Sequence, residues 1–222
     1  MPADEEVYEA RREAVPALAV AAALLFLLAG VSGAKEWQLL YLPWWSWIVP
    51  ACAALVLIWD LATGMHGPKL VTSRPVAKGL LAVLVVGNLA ALGSLIAGLV
   101  DTRRGDLGGG ELLLTAAVIW VTNVVAFGLL FWEVADHGPL ARKQHGRRNP
   151  DFQFPQDADA STAWAPHIWD YLYVSLTNSI AFSPTDALPL TLRAKGLMAF
   201  GSLISVVTVL LVGARAVNIL GT

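Results

Sequence analysis

The chain is 222 residues long, 56% hydrophobic and only 14% charged, with a mean hydropathy of +0.60 and a formal net charge of −2. Its apolar residues fall in runs near the ~20 that cross ~30 Å of hydrocarbon, which excludes a soluble globular domain and makes the lipid bilayer its first partner. Near-neutral charge, with no basic surface interleaved with aromatics, excludes nucleic acid as a partner.

Residues 1–14 are polar and mixed in charge, with Asp4, Glu5, Glu6, Glu9, Arg11, Arg12 and Glu13. The apolar run that follows lacks a small-residue cleavage site, so it is expected to stay as the first span, Val15 to Gly33. Further spans are expected from Trp47 to Thr63, from Val76 to Val100 and from Leu112 to Ala135, with a fifth from Leu192 to Leu220. This predicts an all-α, multi-pass protein of the plasma membrane, with a three-span bundle over 15–110 and a second module over 111–222. Trp37, Tyr41, Trp44, Trp45 and Trp47 crowd the first connection, where amphipathic rings favour the headgroup layer. Pro50 falls in the first turn of the second span, where its missing N–H costs little. Cys52 is the single cysteine, so no intrachain disulfide can form, and it reads as a packing residue. Gly105, Gly108, Gly109 and Gly110 mark a tight turn between the third and fourth spans.

From His137 to Pro166 the sequence is polar, and its charges, Asp151 among them, read as a solvated loop of about thirty residues. Next comes a short helix, His167 to Ser179, with Pro166 at its start and with Ile168, Tyr171, Leu172, Val174 and Leu176 on one side. At about 20 Å it is too short to cross, so it must turn back, lie on the surface or be buried. The non-helical stretch from Phe182 to Leu190 is tolerated at membrane depth only where protein buries it or it lines water.

This short helix, polar hairpin and long closing span resemble the pore module of the potassium-channel superfamily over about the last quarter of the chain. In that family a pore helix leads to the filter T-V-G-Y-G, then D-x-x-P-x-T with a basic residue four positions on, then the inner helix. Asp186, Pro189, Thr191 and Lys195 stand at the later positions. Ile180, Ala181, Phe182, Ser183, Pro184 and Thr185 replace the filter and its preceding Thr. The resemblance implies a homo-oligomer, a tetramer by analogy, that conducts monovalent cations, with Gly201, Ser205 and Thr208 of the inner helix lining the cavity or packing. Filter glycines let carbonyls point inward, and Ser183 and Thr185 occupy those positions beside a φ-locked Pro184. The expectation is therefore a wider, wetter path lined by Ser179, Ser183 and Thr185, with poor potassium-over-sodium discrimination. Asp186 either forms a carboxylate ring at its mouth, caps the last helix, or pairs with Arg193 or Lys195. The chain is also similar to uncharacterised bacterial membrane families with several spans and a closing re-entrant hairpin, a similarity that supplies a fold and no activity.

Among the other intramembrane polar residues, Asp60 and Glu133 sit near span ends, where interfacial solvation suffices. Asn88 and Asn123 are expected to hydrogen-bond between the third and fourth helices. Histidines His137, His145 and His167 lack i, i+4 spacing, and no nucleophile is placed beside a base, so no metal, cofactor or enzymatic activity is expected. Lys and Arg counts favour a cytoplasmic N-terminus and a hairpin entering from the cytoplasm, the inverse of potassium channels. The function expected is a weakly selective cation channel. The alternatives are a non-conducting structural or accessory protein and a small-solute transporter with a midplane site.

Overall fold

The computed structural model describes residues 12–35, 42–63, 74–100, 109–135, 150–158, 164–181 and 187–220. Six α-helices occur among them: α1 (Val15–Ala34), α2 (Ile48–Thr63), α3 (Arg74–Val100), α4 (Gly109–Val134), α5 (Ile168–Ala181) and α6 (Leu192–Leu220). Five of these, all but α5, are long and apolar enough to cross a membrane. The chain is an α-helical multi-pass membrane protein, and the expected spans match these helices to within three residues at each end. One departure from an all-α fold is a two-stranded antiparallel ladder, β1 (Phe152–Gln153) with β2 (Leu188–Pro189), pairing Phe152 with Pro189 and Gln153 with Leu188.

Local chemistry explains the boundaries. Pro16 and Pro50 lie near the starts of α1 and α2, where a missing N–H breaks no intrahelical bond. Trp44–Trp47 form a 3-10 turn leading directly into α2, with Trp47 buried and Trp44 and Trp45 half-exposed. At the start of α5 the Asp170 carboxylate accepts a hydrogen bond from the His167 N–H at 2.7 Å, the reciprocal half of a capping box. Cys52 faces outward on α2, contrary to the packing role read from the sequence.

Helix α4 is the axis of the bundle. It packs against α1, α3, α5 and α6, and every residue from Thr122 to Leu129 is buried, so no lipid-facing side remains there. Because lipid tails are as apolar as leucine, packing and interhelical hydrogen bonds hold such helices together. The closest approach is at Gly128: a Cβ there would sit 2.7 Å from Leu172 Cδ2 and 3.0 Å from Leu172 Cα, so α5 can lie this near only against glycine. At Gly201 of α6 a Cβ would come within 3.0 Å of the Phe127 ring.

The helix ends sort onto two faces. A cavity of about 40 Å³ is lined by Ala14, Leu18, Asp60, Ala77, Trp132 and Glu133, among others. It joins the start of α1, the end of α2, the start of α3 and the end of α4. His167 Nδ1 lies 3.5 Å from Glu13 Oε2, which brings the start of α5 to the same face. This is the loop face of the bundle. Phe152 packs on Tyr171 near the start of α5 and the adjacent Asp151 pairs with Arg193, which brings the start of α6 there as well.

Because Leu172 Cα is backbone, Gly128→Ala should force α4 and α5 apart and cost about 1–3 kcal/mol, the range for overpacking. Gly93→Ala, where a Cβ meets nothing within 4 Å, should leave the melting temperature in detergent unchanged or slightly raised.

Candidate functional site

The site assembles where α4, α5 and α6 meet. Helix α5 has 14 residues, roughly 21 Å at 1.5 Å per residue, and its inward face carries Ser175 and Asn178, which bond to the neighbouring helices. Ser175 Oγ donates to the Val124 carbonyl at 2.8 Å. Asn178 Nδ2 donates to the Met198 carbonyl at 3.0 Å, and the Asn178 carbonyl accepts from Ser202 Oγ at 3.2 Å. Asn123 Nδ2 donates to the Gly201 carbonyl at 3.0 Å and to Ser205 Oγ at 2.9 Å. These side-chain bonds cross between helices, where each contributes of order 0.5–2 kcal/mol. Their levels also fix depth: the last turns of α5 lie beside Met198–Ser202, roughly 9–15 Å along α6 from its start.

A second cluster closes the loop face. Asp151 is 5% exposed, and its carboxylate accepts from Thr191 Oγ1 and ion-pairs with the Arg193 guanidinium. Its backbone carbonyl accepts from Leu190 N–H at 2.8 Å. Thr191 Oγ1 in turn accepts from Ala194 N–H at 3.2 Å, which caps α6. Thus Pro189 and Thr191, two residues behind the pore-module resemblance, here pair with β1 and cap α6. Arg193, offered above as a partner of Asp186, pairs with Asp151.

Phe152 and Phe154 drive β1 into the core. Phe152 stacks on Phe131 and Tyr171 at centroid distances of 5.4 and 5.9 Å, and Phe154 on Tyr171 and Trp164 at 5.4 and 5.5 Å. The three edge-on contacts, Phe152–Tyr171, Phe154–Tyr171 and Phe154–Trp164, add about 0.5–1.5 kcal/mol each beyond area burial. The chain of rings continues through the buried Phe131 and Phe127 to the exposed Phe200. Tyr171 near the start of α5 and Leu188 in β2 therefore both attach to β1, although α5 runs away from it.

The residues singled out from the sequence separate as follows. Ser179 is buried within the chain, whereas Ile180 and Ala181 are exposed at the end of α5. Phe182, Ser183, Pro184, Thr185 and Asp186 lie outside the described residues. Gly201, Ser205 and Thr208 are all buried within the chain: Gly201 against Phe127, Ser205 bonded to Asn123, and Thr208 Oγ1 donating back to the Ile204 carbonyl. Asn88 Oδ1 accepts from Thr122 Oγ1 at 2.8 Å, which joins α3 to α4 as expected. Asn123 instead bonds α6, because its side chain leaves α4 about 100° round from Thr122.

Sequence reasoning missed Ser175, Asn178 and the Asp151 cluster. The signal for the last was present in the order Asp151, Phe152, Gln153, Phe154, where aromatics alternate within a polar stretch at the strand period. Composition alone makes Asp151 a solvating charge; Phe152 and Phe154 pull it inward, and Arg193 and Thr191 offset its desolvation. No protein-family model, no curated protein and no solved structure matches this chain.

Replacing Asp151 by Ala leaves Thr191 and Arg193 without their shared acceptor and should lower stability by about 1–3 kcal/mol. Arg193→Ala should cost at least as much, because it leaves the buried Asp151 carboxylate without the cation that offsets its desolvation. Thermal unfolding of the two purified variants checks the order.

Proposed function

We propose that this chain is a self-associating membrane protein whose module over 111–222 carries a re-entrant hairpin and forms a weakly selective pathway for monovalent cations. Four copies would surround the path, by analogy with potassium-channel pore modules. The observation that carries the reading is the placement of α5: a half-length helix tied to the loop face at Tyr171 and again, after its end, at Leu188, while Asn178 bonds a carbonyl well inside α6.

The chemistry at the end of α5 supports water or a second copy there rather than lipid. The last four carbonyls of a helix have no intrahelical donor, and hydrocarbon supplies none. Ile180 and Ala181 are exposed at that end, and α6 is the least covered of the five long helices. A path on this side would meet the negative end of the α5 dipole, which favours a cation. Asp186 would follow a few residues on and add a carboxylate from each copy, raising local cation concentration. The buried Ser179, Ser205 and Thr208 would act as packing groups in this arrangement rather than as pore lining. By the positive-inside rule the loop face is cytoplasmic, so the hairpin would enter from the cytoplasm.

A second reading, a non-conducting structural element, is favoured by the tight anchoring of Ser175 and Asn178. Planar-bilayer recording under a potassium/sodium gradient separates the two. Conduction predicts single-channel steps with a reversal potential near zero and current reduced at least about twofold in Asp186→Asn. Silence of folded protein across voltage and pH selects the structural reading, and unchanged current in Asp186→Asn removes the carboxylate ring.

A further inference from the structure

Helix α4 carries a second polar face, turned away from α5 and α6. Glu111, Thr115, Thr122 and Glu133 recur at spacings of 4, 7 and 11 residues, so they share one side of the helix. Two of the four have known surroundings: Thr122 donates to Asn88 of α3, and Glu133 lines the loop-face cavity. The other two, at the opposite end, have buried oxygens without a hydrogen-bond partner among the described residues. Glu111 Oε1 and Thr115 Oγ1 are buried without a hydrogen bond, as is Ser32 Oγ of α1, and the three residues are 9%, 0% and 1% exposed.

The register of α1 against α4 brings these groups to one level. Ala14 and Glu133 line the same cavity, which sets the start of α1 beside the end of α4, so the two packed helices run antiparallel. Ser32 follows Ala14, and Thr115 precedes Glu133, by about five full turns in each helix, so both return to the line from which they started. Ser32 and Thr115 therefore stand at one level of the bundle, with Glu111 about one turn further on.

Hydroxyls inside a membrane helix have a local alternative, which Thr208 uses by donating to the carbonyl four residues back. Ser32 and Thr115 leave it unused. A buried polar group without a partner costs about 1–3 kcal/mol, and here three lie within about one turn of the same level. Two hydroxyls and one carboxylate are hard oxygen donors carrying a single negative charge. We propose that Ser32, Glu111 and Thr115 form a binding site for a small monovalent cation between α1 and α4, separate from the path proposed beside α5.

The test uses the full-length protein in mild detergent, with sodium, lithium or potassium chloride replacing choline chloride at constant ionic strength. A saturable rise in melting temperature with at least one alkali cation is expected, and equilibrium binding of radioactive sodium should approach one ion per chain. Glu111→Gln should abolish both effects and Thr115→Val should weaken them, while Ser205→Ala, on the other side of α4, should leave both intact. Melting and binding that do not distinguish alkali cations from choline overturn the site. So does a sodium response of equal size in Glu111→Gln. If the Glu111 and Thr115 variants do not fold, the native protein's sodium stoichiometry still decides.

Discussion

Between Thr122 and Leu129 helix α4 has no side left for lipid, and the rest of the molecule is arranged around that constraint. A helix enclosed on all sides must satisfy its polar groups sideways, because neither water nor lipid reaches them. Thr122 does so toward α3, Asn123 toward α6, and the Val124 carbonyl toward Ser175 of α5. Three successive residues thus point to three different helices, which fixes the rotation of α4 more tightly than apolar packing alone would. Gly128 and Gly201 make the arrangement sterically possible, one under Leu172 and the other under Phe127.

The enclosed axis also explains how a helix as short as α5 holds its position. Its inward face is bonded to α4 and α6 through Ser175 and Asn178, and its start is held by the rings of Phe152 and Phe154 on Tyr171. Asp151 connects this aromatic cluster to the start of α6 through Thr191 and Arg193. Movement of α6 relative to α5 would have to break the Asn178–Met198 bond, the Asp151–Arg193 pair, or both. In the pathway proposed for this module, those contacts are where a conformational change would register first.

The long helices were legible in the sequence because length and hydropathy alone define a membrane span, and their ends shifted by no more than three residues. The short helix was legible for a related reason: its apolar stripe ends too early to cross. The interior partners were not legible. A hydrogen bond such as Asn123 to Ser205 depends on which way α4 is rotated, and helices buried all round carry almost no amphipathic signal to reveal that rotation. The Asp151 cluster was hidden differently. Composition marks residues 137–166 as solvated, and only the alternation of Phe152 and Phe154 opposes that average. The D-x-x-P-x-T pattern was visible, but in this fold Pro189 and Thr191 already have structural work in pairing β1 and capping α6.

The central claim is that the chain enters the bilayer with α5 and leaves it again on the same face. Single cysteines introduced at Trp169 and Leu190, both exposed, in a Cys52→Ser background test it directly in vesicles of uniform orientation with a membrane-impermeant thiol reagent. The account predicts that both positions label from one side only, the side that also labels a cysteine at Gln153. Labelling of Leu190 from the side opposite Trp169 would mean that the segment crosses the membrane, and would contradict it.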